Sequence, residues 1–273
     1  MSPAFRAFLR EWTPPRMLAA YRRLRGESIR FSGEFANWEE ARLASKGYDD
    51  ALIVERVRQA TLKANASTCL MERDGMVLPS DVTFPLLASL QHVALSLGRL
   101  RVLDFGGALG GLYFHLRRHL PPNVPVLWTV VEQRRFVECG KLHFAVAELS
   151  FEENLERALS EGVADVALLS SVLPYLEHPH QTLSMFLNSG CEYLLLDRTP
   201  VLREATSDRL TVQTVDFLEY SASYPAWFFV EAPLLEEIGV RYKSVFGFDS
   251  FESWDLGALK SQSIGGLFRK NGT

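Results

Sequence analysis

The sequence predicts an α/β protein built on a mostly parallel sheet. From residue 101 onward, short apolar segments alternate with segments of helical periodicity, which is typical of a parallel sheet covered by helices on both faces. A glycine-rich segment at 106–111 joins the first of these strands to its helix. The last two apolar segments follow one another without a helix between them, so we expect an antiparallel pair of strands at one edge of the sheet.

The residues before the first strand are predicted to be helical. Asn37, followed three residues later by Glu40, is typical of a helix start, because the two side chains can satisfy free backbone N–H groups. Apolar residues at helical spacing predict two further helices before Gly98. We therefore expect residues 1–98 to form an N-terminal helical cap and residues 99–273 to form the main domain.

Strands and helices then alternate along the chain. Apolar runs and breaker residues predict strands at 101–105, 126–131, 142–147, 165–170 and 192–196. Helices are predicted between them at 112–120, 134–140, 152–161 and 181–188. A further helix at 233–238 precedes the final strands, which are predicted at 241–248 and 263–269.

Composition excludes several classes of protein. The chain has 273 residues, of which 47% are apolar and 23% charged, as in an ordinary soluble globular protein. A net charge of −4 argues against a protein whose main task is to hold nucleic acid. No apolar run approaches the roughly 20 residues that span a bilayer, and we expect no secretory signal in residues 1–12. We expect a cytoplasmic protein with reduced thiols at Cys69, Cys139 and Cys191, and no metal, since no HExxH or paired-carboxylate motif occurs.

The N-terminal segment is unusually basic. Residues 1–31 contain seven arginines and two glutamates, and residues 15–26 place apolar and basic side chains at helical spacing. Such a helix can pack on the protein body through its apolar stripe or make a weak peripheral contact with an anionic membrane. We expect the first arrangement.

A candidate ligand site follows the first two strands of the sheet. Asp104 is followed by Gly106, Gly107 and Gly110, and glycines at a strand–helix junction let a ligand approach the backbone closely. Glu132 ends the next predicted strand, where a carboxylate can accept hydrogen bonds from both ribose hydroxyls of a nucleotide-like ligand. A tight structural turn is the alternative interpretation of the glycines.

These motifs resemble those of class I S-adenosylmethionine-dependent methyltransferases. The resemblance rests on Asp-x-Gly-x-x-x-Gly at 104–110, on Glu132 and on the segment 165–176, and it departs from the usual pattern at Ala108, where the middle glycine is expected. It covers residues 101–270 and implies a Rossmann-like fold, a seven-stranded mostly parallel sheet with an antiparallel final strand. The implied cofactor is S-adenosylmethionine, with S-adenosylhomocysteine as product.

A narrower resemblance extends over nearly the whole chain. The segments 33–41, 45–49, 72–75 and 222–228 are similar to an uncharacterised bacterial methyltransferase family associated with surface-polysaccharide biosynthesis. This similarity implies methyl transfer without a proven substrate. We expect a small-molecule or glycan-precursor acceptor, with oxygen or nitrogen favoured over carbon as the acceptor atom. The oligomeric state is left open.

The resemblance implies roles for individual residues. Asp104 would bind the ammonium group of the cofactor directly or through water, Glu148 or Leu149 would reach the adenine, and the serines that end the fourth strand would lie near the methyl group. The expected cofactor-binding residues are Asp104, Gly106, Gly107, Gly110, Glu132, Gln133, Glu148, Leu149, Ser170 and Ser171. The expected catalytic residues are His178, Tyr175 and Asp197, with His180 and Tyr224 as further candidate bases, and the expected substrate-binding residues are Arg73, Arg198, Tyr224 and Trp227.

Two other functions remain open at this point. A nucleotide- or NAD-binding Rossmann enzyme would use the same glycine loop and Glu132, although a terminal antiparallel strand pair argues against it. A non-catalytic protein that retains the methyltransferase fold is the second alternative, because the sequence contains no sharply defined base motif.

Overall fold

The computed structural model describes residues 28–47, 50–73, 75–79, 84–160, 164–217 and 220–272. They form two compact units, one drawn from the described residues within 28–47 and 209–226 and a larger one drawn from those within 50–208 and 227–272. The basic segment predicted at 15–26 lies outside the described residues. The functional division into a cap at 1–98 and a domain at 99–273 stays a prediction.

The described elements follow one another as strands, helices and one short 3-10 helix at Leu173–Tyr175. In chain order they are β1 (Ser28–Phe35), α1 (Trp38–Ala44), α2 (Asp50–Asn65), β2 (Leu70–Arg73), β3 (Met76–Pro79), α3 (Phe84–Leu97), β4 (Leu100–Phe105), α4 (Gly111–Arg117), β5 (Val126–Val131), α5 (Arg134–His143), β6 (Leu149–Glu152), α6 (Leu155–Ser160), β7 (Val166–Ser170), α7 (Pro179–Asn188), β8 (Tyr193–Leu202), β9 (Arg209–Phe217), β10 (Tyr220–Val230), α8 (Glu231–Gly239), β11 (Tyr242–Asp255) and β12 (Lys260–Lys270).

The larger unit contains the predicted sheet. Strands β6, β5, β4, β7 and β8 lie side by side in that order and are parallel. Strand β12 then pairs antiparallel with β8, and β11 pairs antiparallel with β12. This is the strand order of the class I methyltransferase fold, in which the last strand inserts antiparallel. The predicted fold class is confirmed, and so is the predicted terminal strand pair.

Alternation along the strands builds an apolar core on each face of the sheet. On β4, Val102 packs on one face with Trp128, and Leu103 packs on the other face with Phe186. Because side chains alternate, Asp104 points to the same face as Val102 and Trp128. The sheet therefore buries a carboxylate among apolar side chains at the end of its central strand.

The smaller unit pairs distant parts of the chain. Strand β1 is antiparallel to β9, with Ser28 opposite Asp216, and β10 lies on the other side of β9. Helix α1 begins as predicted, because the Asn37 side chain accepts a hydrogen bond of 2.9 Å from the Glu40 backbone N–H.

Two predictions about elements are wrong. Residues 28–79 contain the strands β1, β2 and β3 as well as helices, because β1 is stabilised by a partner strand more than 180 residues away. The third strand of the sheet is β6 rather than 142–147, because Leu142 is the 75% exposed end of helix α5 and the buried pair Leu149 and Phe151 forms the strand. Strands β9 and β10 were not predicted. Within the described residues, no helix is long and apolar enough to cross a membrane.

Candidate functional site

The turn between β4 and α4 depends on glycine. Gly106 has a φ of +76°, and a Cβ there would lie 2.5 Å from Val172 Cγ2, on the segment that follows β7. A Cβ on Gly107 would collide with the carboxylate of Asp104. The loop is thus packed directly against the ends of neighbouring strands, and the space beside Gly107 is taken by a carboxylate.

Asp104 is a fully buried carboxylate with an unused oxygen. Trp128 Nε1 donates a 3.0 Å hydrogen bond to Oδ2, whereas Oδ1 has no partner among the described residues. Burial raises the pKa of Asp104 to about 7; the nearby charge of Glu132 acts in the same direction, and the Trp128 hydrogen bond opposes it. A buried acceptor without a donor is costly unless a ligand supplies one. The geometry fits a cationic donor such as an ammonium group.

Glu132 lies against the glycine loop. Its Oε1 accepts a hydrogen bond of 3.3 Å from the Ala108 backbone N–H, and its Oε2 accepts one of 2.8 Å from the Gln133 N–H. Burial raises the pKa of Glu132, and these two backbone hydrogen bonds oppose the shift. Each carboxylate oxygen has a second lone pair, so the group can also accept from two hydroxyls of a ligand.

A second polar cluster lies where β7 ends beside the middle of β8, which continues beyond the predicted strand 192–196. The buried Asp197 carboxylate accepts hydrogen bonds from Ser170 Oγ at 2.7 Å and Ser250 Oγ at 3.4 Å, and Arg198 Nε lies 3.6 Å from it. Ser171 and Arg198 have φ values of +54° and +50°, a region that side chains disfavour. Strained residues on adjacent segments are typical of functional sites. Since Asp197 is engaged by several donors, it holds this cluster in place; its role as a base stays a prediction.

The misplaced third strand affects the adenine prediction. Glu148 precedes β6, and its carboxylate is bound by Arg117 at 2.6 and 3.0 Å and by the Tyr113 hydroxyl at 3.1 Å. Leu149 lies beside Gly110, so it does reach the loop. The carboxyl end of β6 is Glu152, whose Oε1 accepts from the backbone N–H groups of Glu153 and Asn154. Sequence analysis missed residues 152–154, and the alternation of apolar Leu149 and Phe151 was the signal for them.

The candidate bases after β7 lie in different surroundings. His178 is exposed, and its ring lies 4.0 Å from the Glu177 carboxylate. His180 is held between Asp208 at 2.7 Å and Glu237 at 2.6 Å, and the hydrogen bond to Asp208 is the main cause that raises its pKa to about 9. A raised pKa favours the charged imidazole, which links Asp208 to Glu237, and the assignment of His180 as a candidate base stays a prediction.

A cavity of about 310 Å³ lies beside these histidines. Trp227 Nε1 donates a 3.1 Å hydrogen bond to the Leu176 carbonyl, which fixes the ring at one wall. The lining residues are Glu177, His178, Pro179, His180, Gln181, Asp208 and Trp227. The structure thus brings two predicted site residues, His178 and Trp227, into one cavity.

The remaining predicted residues are placed as follows. Tyr175 is partly exposed in the 3-10 helix that leads toward the cavity. The Arg73 guanidinium lies 4.9 Å from the Phe251 ring centroid, and the neighbouring Glu72 carboxylate would collide with a Cβ on Gly111 at the start of α4. Tyr224 belongs to the smaller unit, and its role as a substrate-binding residue stays a prediction.

Comparisons with known proteins find structural likeness alone. No protein-family model and no curated protein matches the chain. It resembles a magnesium protoporphyrin IX methyltransferase from Synechocystis with bound S-adenosylmethionine, at 13% identity and a TM-score of 0.42 over 96% of each chain. It also resembles the N-methyltransferase NodS from Bradyrhizobium japonicum with bound S-adenosylhomocysteine, at 14% identity and a TM-score of 0.42 over 79% of this chain and 98% of that one. A third is the 4+2 cyclase SpnF, at 16% identity and a TM-score of 0.44 over 72% and 73%. Likeness at this level assigns no activity or substrate.

We expect Gly106→Ala to lower the free energy of unfolding by about 1–3 kcal/mol, because the new methyl group meets Val172 and the backbone is left-handed. Urea denaturation measures the loss. Gly239→Ala is the matched control, since open space surrounds Gly239 and the change should stay within about 0.5 kcal/mol. Equal effects at the two positions would show that the loop is looser than described.

We expect the free energy of unfolding of Asp104→Asn, measured relative to the parent, to increase as pH rises. Burial raises the folded pKa from 3.8 to about 7, so stability from the protonated carboxyl is present at low pH and is lost as pH rises through that window. Asparagine does not titrate, so the variant should gain about 1 kcal/mol over the parent per pH unit.

Denaturation of both proteins at pH 5 and pH 7 measures this gain. Asp165→Asn is the control, because hydrogen bonds from Arg101 and Arg99 outweigh burial and lower the pKa of Asp165, so its effect should not change over that range. A pH-independent difference for Asp104→Asn would show that this carboxyl is ionised throughout.

Proposed function

We propose that the chain is an S-adenosylmethionine-dependent methyltransferase. The observation that carries the proposal is the pairing of two carboxylates across one glycine loop. Glu132 accepts from the loop N–H at Ala108, and Asp104 lies beneath Gly107 with an unused oxygen. Both lie at the carboxyl ends of parallel strands, where open α/β sheets bind their ligands.

The two carboxylates suit two different parts of the cofactor. We propose that Asp104 binds the ammonium group, because it is buried and lacks a donor, and that Glu132 binds the ribose hydroxyls. The adenine would lie toward Leu149 and toward Asn154, which follows the end of β6 at Glu152, and this replaces the expectation for Glu148. When bound, the cofactor supplies an electrophilic methyl group on a sulfonium ion, and its product form is S-adenosylhomocysteine.

The acceptor would lie where β7 ends beside Asp197 of β8. Methyl transfer is an in-line displacement, so the protein contributes mainly by positioning the two reactants and excluding water. Ser170 and Ser171 lie at the strand end whose next residue, Val172, meets Gly106. Of the candidate bases, His178 and Tyr175 are exposed enough to receive a proton from an acceptor hydroxyl or amine.

We propose that the cavity beside Trp227 admits the acceptor. It is walled by an indole ring and begins at Glu177, two residues beyond Tyr175. The acceptor is then a small molecule or a glycan precursor that is methylated at oxygen or nitrogen, in a cytoplasmic reaction. Arg198 is a further candidate for contacting an anionic acceptor.

We expect Glu132→Ala to weaken S-adenosylhomocysteine binding about 30- to 1000-fold, because two charge-assisted hydrogen bonds to the ribose are lost. Glu132→Gln should lose less, since the amide oxygen still accepts one bond. Calorimetric titration measures the three affinities, with exposed Glu138→Ala as the control that should bind like the parent.

NAD and UDP-glucose are titrated in parallel. If NAD or UDP-glucose binds and S-adenosylhomocysteine does not, the nucleotide-binding alternative is supported. If Glu132→Ala binds S-adenosylhomocysteine as tightly as the parent, the ribose assignment is refuted.

We expect Trp227→Ala to reduce methyl transfer to the acceptor at least about tenfold while S-adenosylhomocysteine affinity stays within twofold, because the cavity wall is lost and the donor site is not. Transfer of labelled methyl groups to a panel of sugar nucleotides, hydroxylated aromatics and amines identifies the acceptor. Trp254→Ala on β11 is the matched control and should keep full transfer. An equal loss of methyl transfer in both variants would show that the cavity beside Trp227 is not part of the acceptor site.

A further inference from the structure

Trp128 is an unusual neighbour for a buried carboxylate. It lies on β5 and is 1% exposed, and its indole N–H donates a 3.0 Å hydrogen bond to Asp104 Oδ2 on the adjacent strand. Its ring makes an edge contact with Tyr113 at 5.9 Å, and the Tyr113 hydroxyl donates to Glu148. The indole is thus fixed on one side by packing and on the other by Asp104.

The hydrogen bond decides which oxygen of Asp104 is unused. The carboxyl group is otherwise surrounded by apolar strand residues and by the backbone at Gly107. Few other polar contacts therefore restrict its rotation. Phenylalanine could fill much of the same space without donating. Packing alone therefore does not require the N–H of Trp128. This N–H binds Oδ2 of Asp104 and leaves Oδ1 without a partner among the described residues.

We propose that Trp128 is a positioning residue of the cofactor site, whose indole N–H holds one oxygen of Asp104 and leaves the other for the ammonium group of S-adenosylmethionine. The inference rests on the proposed function. It adds a residue that need not touch the cofactor and acts through Asp104.

The arrangement couples cofactor binding to a proton. The carboxyl group faces the Trp128 N–H and the charge of Glu132 on the β5 end, and its pKa is raised to about 7. Below that pH the carboxyl group must lose a proton to pair with the ammonium group, so affinity falls as pH falls. Affinity is highest between this pH and the pKa of the ligand's own amino group. Removing the N–H stabilises the protonated form further and moves this midpoint to higher pH.

The test is calorimetric titration of S-adenosylhomocysteine from pH 6 to pH 9 with the parent and with Trp128→Phe. We expect the variant to bind about tenfold more weakly at pH 7 and its midpoint to rise by about one pH unit, as expected for loss of a hydrogen bond to a charged group. Tyr242→Phe is the matched control, because it removes another buried donor, the hydroxyl 2.7 Å from the Cys191 carbonyl, on the opposite face of the sheet. It should leave both affinity and midpoint unchanged.

A second variant covers the case in which Trp128→Phe does not fold. Replacing the Trp128 indole with benzothiophene, through an unnatural amino acid at that position, keeps the ring shape and removes the N–H. A midpoint that stays at the parent value in a folded variant overturns the proposal, even where affinity falls.

Nuclear magnetic resonance of the ligand-free protein separates this proposal from the proposed function. The Trp128 indole N–H resonance should titrate with the Asp104 carboxyl near pH 7, and the titration should vanish in Asp104→Asn. If the parent does not bind S-adenosylhomocysteine, both the proposed function and the proposed role of Asp104 in binding the ammonium group are refuted. An indole resonance that does not titrate overturns the coupling of Trp128 to Asp104 on its own.

Discussion

The burial of the Asp104 carboxylate is the constraint on which the candidate site depends. The central strand carries it into an apolar core, where an ionised carboxylate is unfavourable. Gly107 must lack a side chain to leave room for it, Trp128 must donate to it, and Glu132 places a second carboxylate near enough to raise its pKa. Burial and the nearby charge of Glu132 are unfavourable for the ionised carboxylate when no ligand is bound, and the Trp128 hydrogen bond offsets part of this cost. Departures from the best local choice are expected where function requires them.

The cluster around Asp197 is built on a different principle. Where β7 ends beside the middle of β8, the backbone itself is strained, at Ser171 and Arg198, and the buried Asp197 carboxylate gathers donors around it. The parallel pairing of Ser170 with Asp197 keeps the two segments in register, so the strain is held by the sheet. The glycine loop thus lies beside an unfavourable buried charge, whereas this cluster contains unfavourable backbone geometry.

Local signals predicted the central parallel sheet and the turn at Gly106 well, and they failed for elements that depend on residues distant in the chain. The strand–glycine–helix order around Gly106 and the helix start at Asn37 depend on neighbouring residues, and both were correct. The strand β1 could not be predicted because its partner β9 lies more than 180 residues away. Glu148 was assigned to the end of a strand because Leu142 looked like a buried residue, whereas it is the exposed end of a helix. His180 looked like a base in sequence, but only the folded chain brings Asp208 and Glu237 to its two ring nitrogens.

Asp104 and His180 change charge in different pH ranges, so their contributions to a pH dependence can be told apart. Asp104 changes charge near pH 7, while His180 keeps its charge until about pH 9 because Asp208 and Glu237 flank it. The stability that His180 contributes is fully present below its ordinary pKa of 6.5 and is lost as pH rises through 9. Between pH 6 and pH 8 the wall of the cavity therefore stays charged and linked to α8. Over that range the carboxyl group of Asp104 changes its charge in the folded chain, whereas the imidazole of His180 keeps its charge and its two carboxylate partners.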